Sequence, residues 1–277
     1  MLIPAEGEIN RTTYMRKYRH PPIVERALSV GVNLNEEMFH RRFEDWKNVV
    51  TKAFPVEEVV TLWDLEVEEK DGMPSLSPNQ KMSIRHRFWK DEGERGKVGV
   101  QVWSNRLVVN LIGTRSHPRV FSEVETLGRE WLKRWAEHFD ITEVKGIQLE
   151  YVNIISHETV PLFATANRIQ LGKILKHFAK PLVPGRSLLS PYELTMNEEV
   201  SKDPPLTLLT KLSSIKEAVA LRLDYKATTE HSARNVSLEA ASAEIRVAHD
   251  CILSEFETSF TAEALESFGP YDTAAQE

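Results

Sequence analysis

Apolar positions along this chain alternate between a period of two and a period near 3.6, and each switch marks the edge of an element. The run IVERALSVGVN at 23–33 is rich in branched residues with partial alternation, which predicts a strand. Asn35 then offers an N-cap, and Glu36 and Glu37 suit the positive end of a helix dipole. Met38, Phe39, Phe43, Trp46, Val49 and Val50 follow at helical spacing, so a helix is expected over 36–52. Strand patterning returns at 58–68, 82–90, 97–103 and 106–112. In the last two, Val98, Val100 and Val102 share one face and Leu107, Val109 and Leu111 another, with Ser104-Asn105 between them as a tight hairpin turn. The stretch 70–78, with Gly72, Pro74 and Pro78, reads as an exposed loop. The clearest helix of the first half is expected over 116–139, with Pro118 in its first turn and a stripe of Val120, Val124, Leu127, Trp131, Leu132, Trp135 and Phe139.

The same order then recurs: a strand at 147–155, a helix over 162–178, a Pro/Gly loop through Pro181, Pro184 and Gly185, strands near 192–200, 206–212 and 218–226, and a long helix over 237–260. Shifting the second half back by 121 residues superposes seven apolar positions of the two long helices, among them Ile245 on Val124, Ile252 on Trp131 and Phe256 on Trp135. A shift of 125 sets Leu171 on Trp46, Ile174 on Val49, Leu175 on Val50 and Phe178 on Ala53. The expected fold is therefore α+β: a duplicated strand, helix, antiparallel strands, helix unit, building one curved antiparallel sheet with helices on one face. The expected boundaries are a polar N-terminal arm at 1–20, units at 21–144 and 145–268, and a C-terminal tail at 269–277. By fold analogy this is similar to the saddle of the TATA-box-binding protein or to a pair of helix-grip modules.

Composition narrows the class of function. Of 277 residues, 41% are apolar and 27% charged, as in a folded globular protein, and the net charge of -6 argues against general nucleic-acid binding, leaving only a local site. No apolar run reaches the roughly 18 residues that span a bilayer, and the N-terminus does not read as a secretion signal, so a cytoplasmic protein without a membrane partner is expected. A single cysteine, Cys251, excludes an internal disulfide and a multi-cysteine zinc site.

With the elements placed, the residues at strand starts resemble those of a sporadically distributed bacterial family of unassigned function. The resemblance is carried by Tyr18-Arg-His-Pro-Pro-Ile-Val-Glu25, Arg87-Phe88, Gln101, Asn105-Arg-Leu107, Asn110, Leu149-Glu-Tyr-Val-Asn153, Leu221-Arg-Leu-Asp224 and His249 leading into Phe256. The chain departs from that pattern at Glu150, where an Arg is expected, and at Arg115-Ser-His-Pro118.

The chemical signals are sparse. No phosphate-loop, dinucleotide, zinc-protease or serine-hydrolase motif occurs. His249-Asp250-Cys251 invites a metal or thiolate reading, but adjacent helical residues point about 100° apart, which favours a packed histidine. Asp64, Glu66 and Glu68 at alternate positions would hold a divalent cation on one strand face, with the solvent side of a sheet as the plainer reading. Arg85, Arg87 and Trp89 share a strand face suited to anion or base contact, or to pairing with the neighbouring carboxylate strand. Glu25, Arg222 and Asp224 are charges in mostly apolar strands, which places them either in an internal charge network or in a ligand site on the open sheet face. No cofactor is implied. The leading expectation is a non-catalytic interaction or regulatory protein that binds a protein partner or itself through the helix-free face. By association, acidic two-unit bacterial accessory proteins of this kind serve toxin-control (toxin-antitoxin) or phage-defence loci. The alternatives are a metal-dependent hydrolase or nuclease using Asp64, Glu66 and Glu68, and a small-ligand sensor with its pocket between sheet and long helix.

Overall fold

Alternation along 23–32 sends Leu28, Val30 and Val32 to one side of an extended strand and Glu25, Ala27, Ser29 and Gly31 to the other, and that division holds across the whole molecule. The computed structural model describes residues 17–271 apart from 65–66, 71–72, 77–80, 166–167, 177–192, 203–204, 216–219 and 231–236. In chain order the first half holds β1 (Lys17–Tyr18), β2 (Ile23–Val32), α1 (Glu36–Val50), β3 (Val56–Asp64), β4 (Val67–Lys70), β5 (Met73–Leu76), β6 (Lys81–Asp91), β7 (Lys97–Trp103), β8 (Arg106–Ile112) and α2 (Phe121–Phe139). The second holds β9 (Val144–Ile155), β10 (Ala164–Thr165), β11 (Arg168–Ile169), α3 (Leu171–Ile174), β12 (Glu193–Lys202), β13 (Pro205–Ser214), β14 (Leu221–Glu230), α4 (Leu238–Ser259), α5 (Ala262–Ser267) and β15 (Pro270–Tyr271).

The protein is α+β, with nine antiparallel strands in one sheet of order β12-β13-β14-β9-β2-β8-β7-β6-β3. At its centre β2 and β9 pair along most of their length, with Leu28 opposite Leu149 and Val30 opposite Ile147. The described helices lie on one face. α2 rests on β2 and β8, and a Cβ at its Gly128 would stand 2.3 Å from Leu28 Cδ2, so glycine is what permits the close approach. α4 covers β9 and β14 with Ala241, Ile245, Ala248, Ile252 and Phe256, all fully buried. α1 leans against α2 through Phe39 stacked on Phe139 at 5.5 Å and Trp46 edge-on to Trp131 at 5.8 Å. The core is one connected cluster running through both halves. β1 pairs with β15 and brings Tyr18 against Phe256 and Phe268, closing the inner ends of the two terminal segments onto α4 and α5. No described helix is long and apolar enough to cross a membrane.

Several sequence expectations need correction. Over 162–178 there is no long helix among the described residues: Ala164 pairs with Ile169 and Thr165 with Arg168, and only Leu171–Ile174 is α-helical, with 166–167 and 177–178 outside the described residues. Val160, Phe163 and Ile169 still reach the core, but through a chain reversal, where tertiary burial outweighs a weak helical propensity. The expected loop at 70–78 is in part a ribbon, β4 paired with β5. The expected strand at 58–68 is therefore split between β3 and β4 in separate sheets. α2 begins at Phe121 and not in 116–120, since Val120 is extended and 45% exposed and so leaves the expected stripe. Finally, the hairpin register sets Val98 opposite Leu111, Val100 opposite Val109 and Val102 opposite Leu107, so these two apolar sets share one sheet face, the one that carries the helices.

Candidate functional site

Because the helices take one face, the polar residues that alternate with the core residues meet on the other. There they line a groove of about 370 Å³ formed by Glu25, Ala27 and Ser29 of β2, Arg85 and Arg87 of β6, Gln101 and Trp103 of β7, Arg106, Val108 and Asn110 of β8, Gln148, Glu150 and Val152 of β9, and Arg222 of β14. Gln101 and Asn110 are almost fully buried, and such polar groups need partners. They find them in a chain across four strands. Arg87 Nε donates to Gln101 Oε1 at 3.1 Å, Gln101 Nε2 to Asn110 Oδ1 at 2.5 Å, and Asn110 Nδ2 to Glu25 Oε1 at 2.7 Å. This relay fixes the amide orientations and locks the groove floor.

The two ends of the groove differ in charge. At the β14 end, Arg222 Nε donates to both oxygens of Asp224 at 2.8 Å and its NH2 lies 3.7 Å from Glu150. Burial, the Asp224 carboxylate and Glu25 raise the Glu150 carboxyl above the usual range, against the opposing pull of Lys226 and Arg222. Burial alone would lower the Arg222 guanidinium, yet the bond to Asp224 and the carboxylates of Glu150 and Glu25 hold it above its ordinary value. At the other end Arg85 lies over the Trp103 ring at 4.4 Å and Arg106 over the same ring at 5.9 Å. Burial, with Arg87 and Arg106 beside it, lowers the Arg85 guanidinium from its ordinary value.

The six residues singled out from the sequence lie on this face. Glu25, Arg85, Arg87 and Arg222 line the groove; Asp224 is held by Arg222; Trp89 packs across Gly99, where a Cβ would stand 2.2 Å from the indole. Glu25 joins the β6–β8 side through the relay, whereas Arg222 and Asp224 form their own pair, so the three charges are not joined in one bonded network. Arg87 is opposite Glu58 of β3 without an ion pair between them, so the carboxylate strand does not neutralise this arginine.

No protein-family model, curated protein or solved structure matches this chain.

Trp103, Arg106 and Gln148 were not among the candidates read from the sequence. Strict alternation through the β7–β8 hairpin puts the first two on the side away from Val102 and Leu107, but does not place them beside the β6 arginines. The remaining chemical candidates separate cleanly. His249 is stacked on Phe121 at 3.6 Å, its Nδ1 bonded to the Tyr151 hydroxyl at 2.7 Å, and burial beside Arg26 lowers it to about 3. It is a neutral packed side chain. Burial pushes the neighbouring Cys251 thiol up to about 11, away from thiolate reactivity. Asp64 ends β3 and Glu68 lies in β4, while Glu66 lies outside the described residues. Among the described residues no three His, Cys, Asp or Glu side chains gather as a metal site.

Proposed function

We propose that this protein is a non-catalytic binding protein that holds a protein partner on the helix-free face of its sheet. The observation that carries this reading is the groove itself: its polar side chains are fixed by one another across β6, β7, β8 and β2, which builds a preorganised recognition surface. The sensor alternative loses its support from the sheet-to-α4 interface, where Ile245, Ala248, Ile252 and Phe256 are packed without exposure.

We infer in addition that the two halves are copies of one unit. Strand order supports this, running β8, β7, β6, β3 outward from β2 and β14, β13, β12 outward from β9, with α2 and α4 lying over the two sides. The resemblance to the sporadic bacterial family, the saddle-like curvature, a cytoplasmic location and service to a toxin-control or phage-defence locus belong to the same proposal. Affinity capture from the native host with the wild-type chain, Gln148→Lys in the groove and Lys133→Glu on exposed α2 tests it. The expected result is one partner recovered by the wild type and Lys133→Glu and lost with Gln148→Lys. Equal recovery by all three would move the interface off this face and sink the proposal, and recovery of only a second copy of the chain would replace the partner by self-association.

A further inference from the structure

Several guanidinium groups elsewhere in the fold find carboxylates: Arg119 bonds Glu92 and Glu123, Arg222 bonds Asp224, and Glu125 receives both Arg129 and Arg246, while the buried Arg26 lies over the Tyr151 ring. The three arginines at the β6–β8 end of the groove are gathered in one place without such a partner. Arg85, Arg87 and Arg106 make no ion pair within 4.0 Å among the described residues, although all three line one cavity. Their only described side-chain acceptor is Gln101 Oε1, 3.1 Å from Arg87 Nε and 3.5 Å from Arg85 NH1. Arg85 Nε is buried without a hydrogen-bond partner among the described residues. Three like charges held together with unused donors, on a half-buried tryptophan, cost free energy that a bound anion would offset.

Resting on the reading that the helix-free face binds, we propose that Arg85, Arg87 and Arg106 form the site for the phosphoryl group of a small soluble phosphate ester. A carboxylate carries one charge and is satisfied by one arginine fork. A phosphate monoester carries close to two charges and three terminal oxygens, which matches three convergent guanidiniums. The groove continues past Arg106 to Gln148, Glu150 and Glu25, and a second concavity lined by Ser29, Asn105, Arg106, Lys145, Gln148 and Thr228 adjoins it. From β8 to β9 is two strand spacings, about 10 Å, which is room for a sugar or nucleoside body whose hydroxyl or amino groups donate to those carboxylates. A polymer is disfavoured by the same geometry, because its next phosphate along that direction would meet Glu25, Glu150 and Asp224.

The test is calorimetric titration of the full chain with inorganic phosphate, adenosine monophosphate, ribose 5-phosphate and a single-stranded DNA decamer, repeated with Arg85→Gln, Arg106→Gln and the control Lys133→Gln. The expected result is saturable binding of at least one ester, tighter than phosphate, weakened about tenfold or more in both arginine variants and unchanged in the control. Should the variants misfold by circular dichroism, arginine-specific labelling of the wild type read by mass spectrometry replaces them, with Arg85 and Arg106 protected by the ester and Arg134 not. Absence of saturable binding, equal binding by all variants, or no protection overturns the site. Phosphate binding as tightly as either ester overturns the ester body, and a decamer binding more tightly than the esters overturns the small ligand. If Gln148→Lys abolishes partner capture while no ester binds, the binding face stands and the phosphoryl site falls; loss of both results removes both readings.

Discussion

His249 is held where protonation costs the fold. Its ring is sandwiched against Phe121, hydrogen-bonded to Tyr151, and faces Arg26, whose guanidinium lies 5.0 Å over the Tyr151 ring with its Nε unpartnered. In the unfolded chain a histidine titrates near 6.5, whereas here burial and Arg26 lower it to about 3. Between those values the unfolded chain binds a proton that the native state does not. The stability His249 contributes is therefore complete above pH 6.5 and lost as pH falls toward 3, by up to about 1.4 kcal/mol per pH unit. His249→Gln keeps a polar group without a titration in that window. The stability gap between wild type and His249→Gln, measured by denaturant melts from pH 7 to pH 4, is expected to shrink steadily on acidification; a constant gap would contradict the buried neutral ring. Backbone constraint gives a second residue-level prediction. Gly96 has φ +87°, and a Cβ there would sit against the Ile112 carbonyl oxygen, so Gly96→Ala is expected to cost several kcal/mol, on the order of 3, as a lowered denaturation midpoint.

At the scale of elements, the long helices differ in how they start. Asn35 accepts from the Glu37 and Met38 amides of α1, and Ser237 from the Ala240 amide of α4, while Val120 before α2 gives no side-chain cap. Val120→Ser should then stabilise the protein by about 0.5–1 kcal/mol, and Asn35→Ala should destabilise it by about 1 kcal/mol, both readable as shifts in thermal midpoint. The contrast also shows what was legible in the sequence. α1 and α4 carry both an apolar stripe and a capping residue, and the sequence pattern locates their starts to within a residue; α2 carries the stripe alone, and the pattern puts its start five residues early. Over 162–178 apolar spacing without a cap pointed to a helix where the chain instead reverses through β10 and β11. Strand alternation was enough to put Glu25, Arg85, Arg87 and Arg222 on the helix-free side. It could not show that Arg106 and Trp103 complete that groove, because their neighbourhood depends on β6, β7 and β8 lying in that order, a long-range fact of register rather than of local pattern.

For the whole molecule the decisive feature is the central β2–β9 pair. It is the seam between the halves, and it lies in the middle of the sheet with apolar partners on the helix-bearing side. Across the same seam Glu125 of α2 accepts from Arg246 of α4 at 2.7 Å, Arg129 reaches the Ser242 carbonyl at 3.4 Å, and Phe121 stacks on His249. The core does not divide at residue 144, so neither half has a closed interior of its own. Unfolding is therefore expected to be one cooperative transition. The sequence supplies the probe, because all six tryptophans, at 46, 63, 89, 103, 131 and 135, lie before residue 144. Tryptophan emission reports the first half alone, whereas far-UV circular dichroism reports both. Coincident denaturant curves from the two signals are the expected outcome, together with an insoluble or unfolded product when residues 21–144 are expressed alone, since β2 would then become a long apolar edge. Separated midpoints, with the emission change displaced from the circular dichroism change, would mean that the halves are energetically independent and that the seam is a docking contact rather than part of the core.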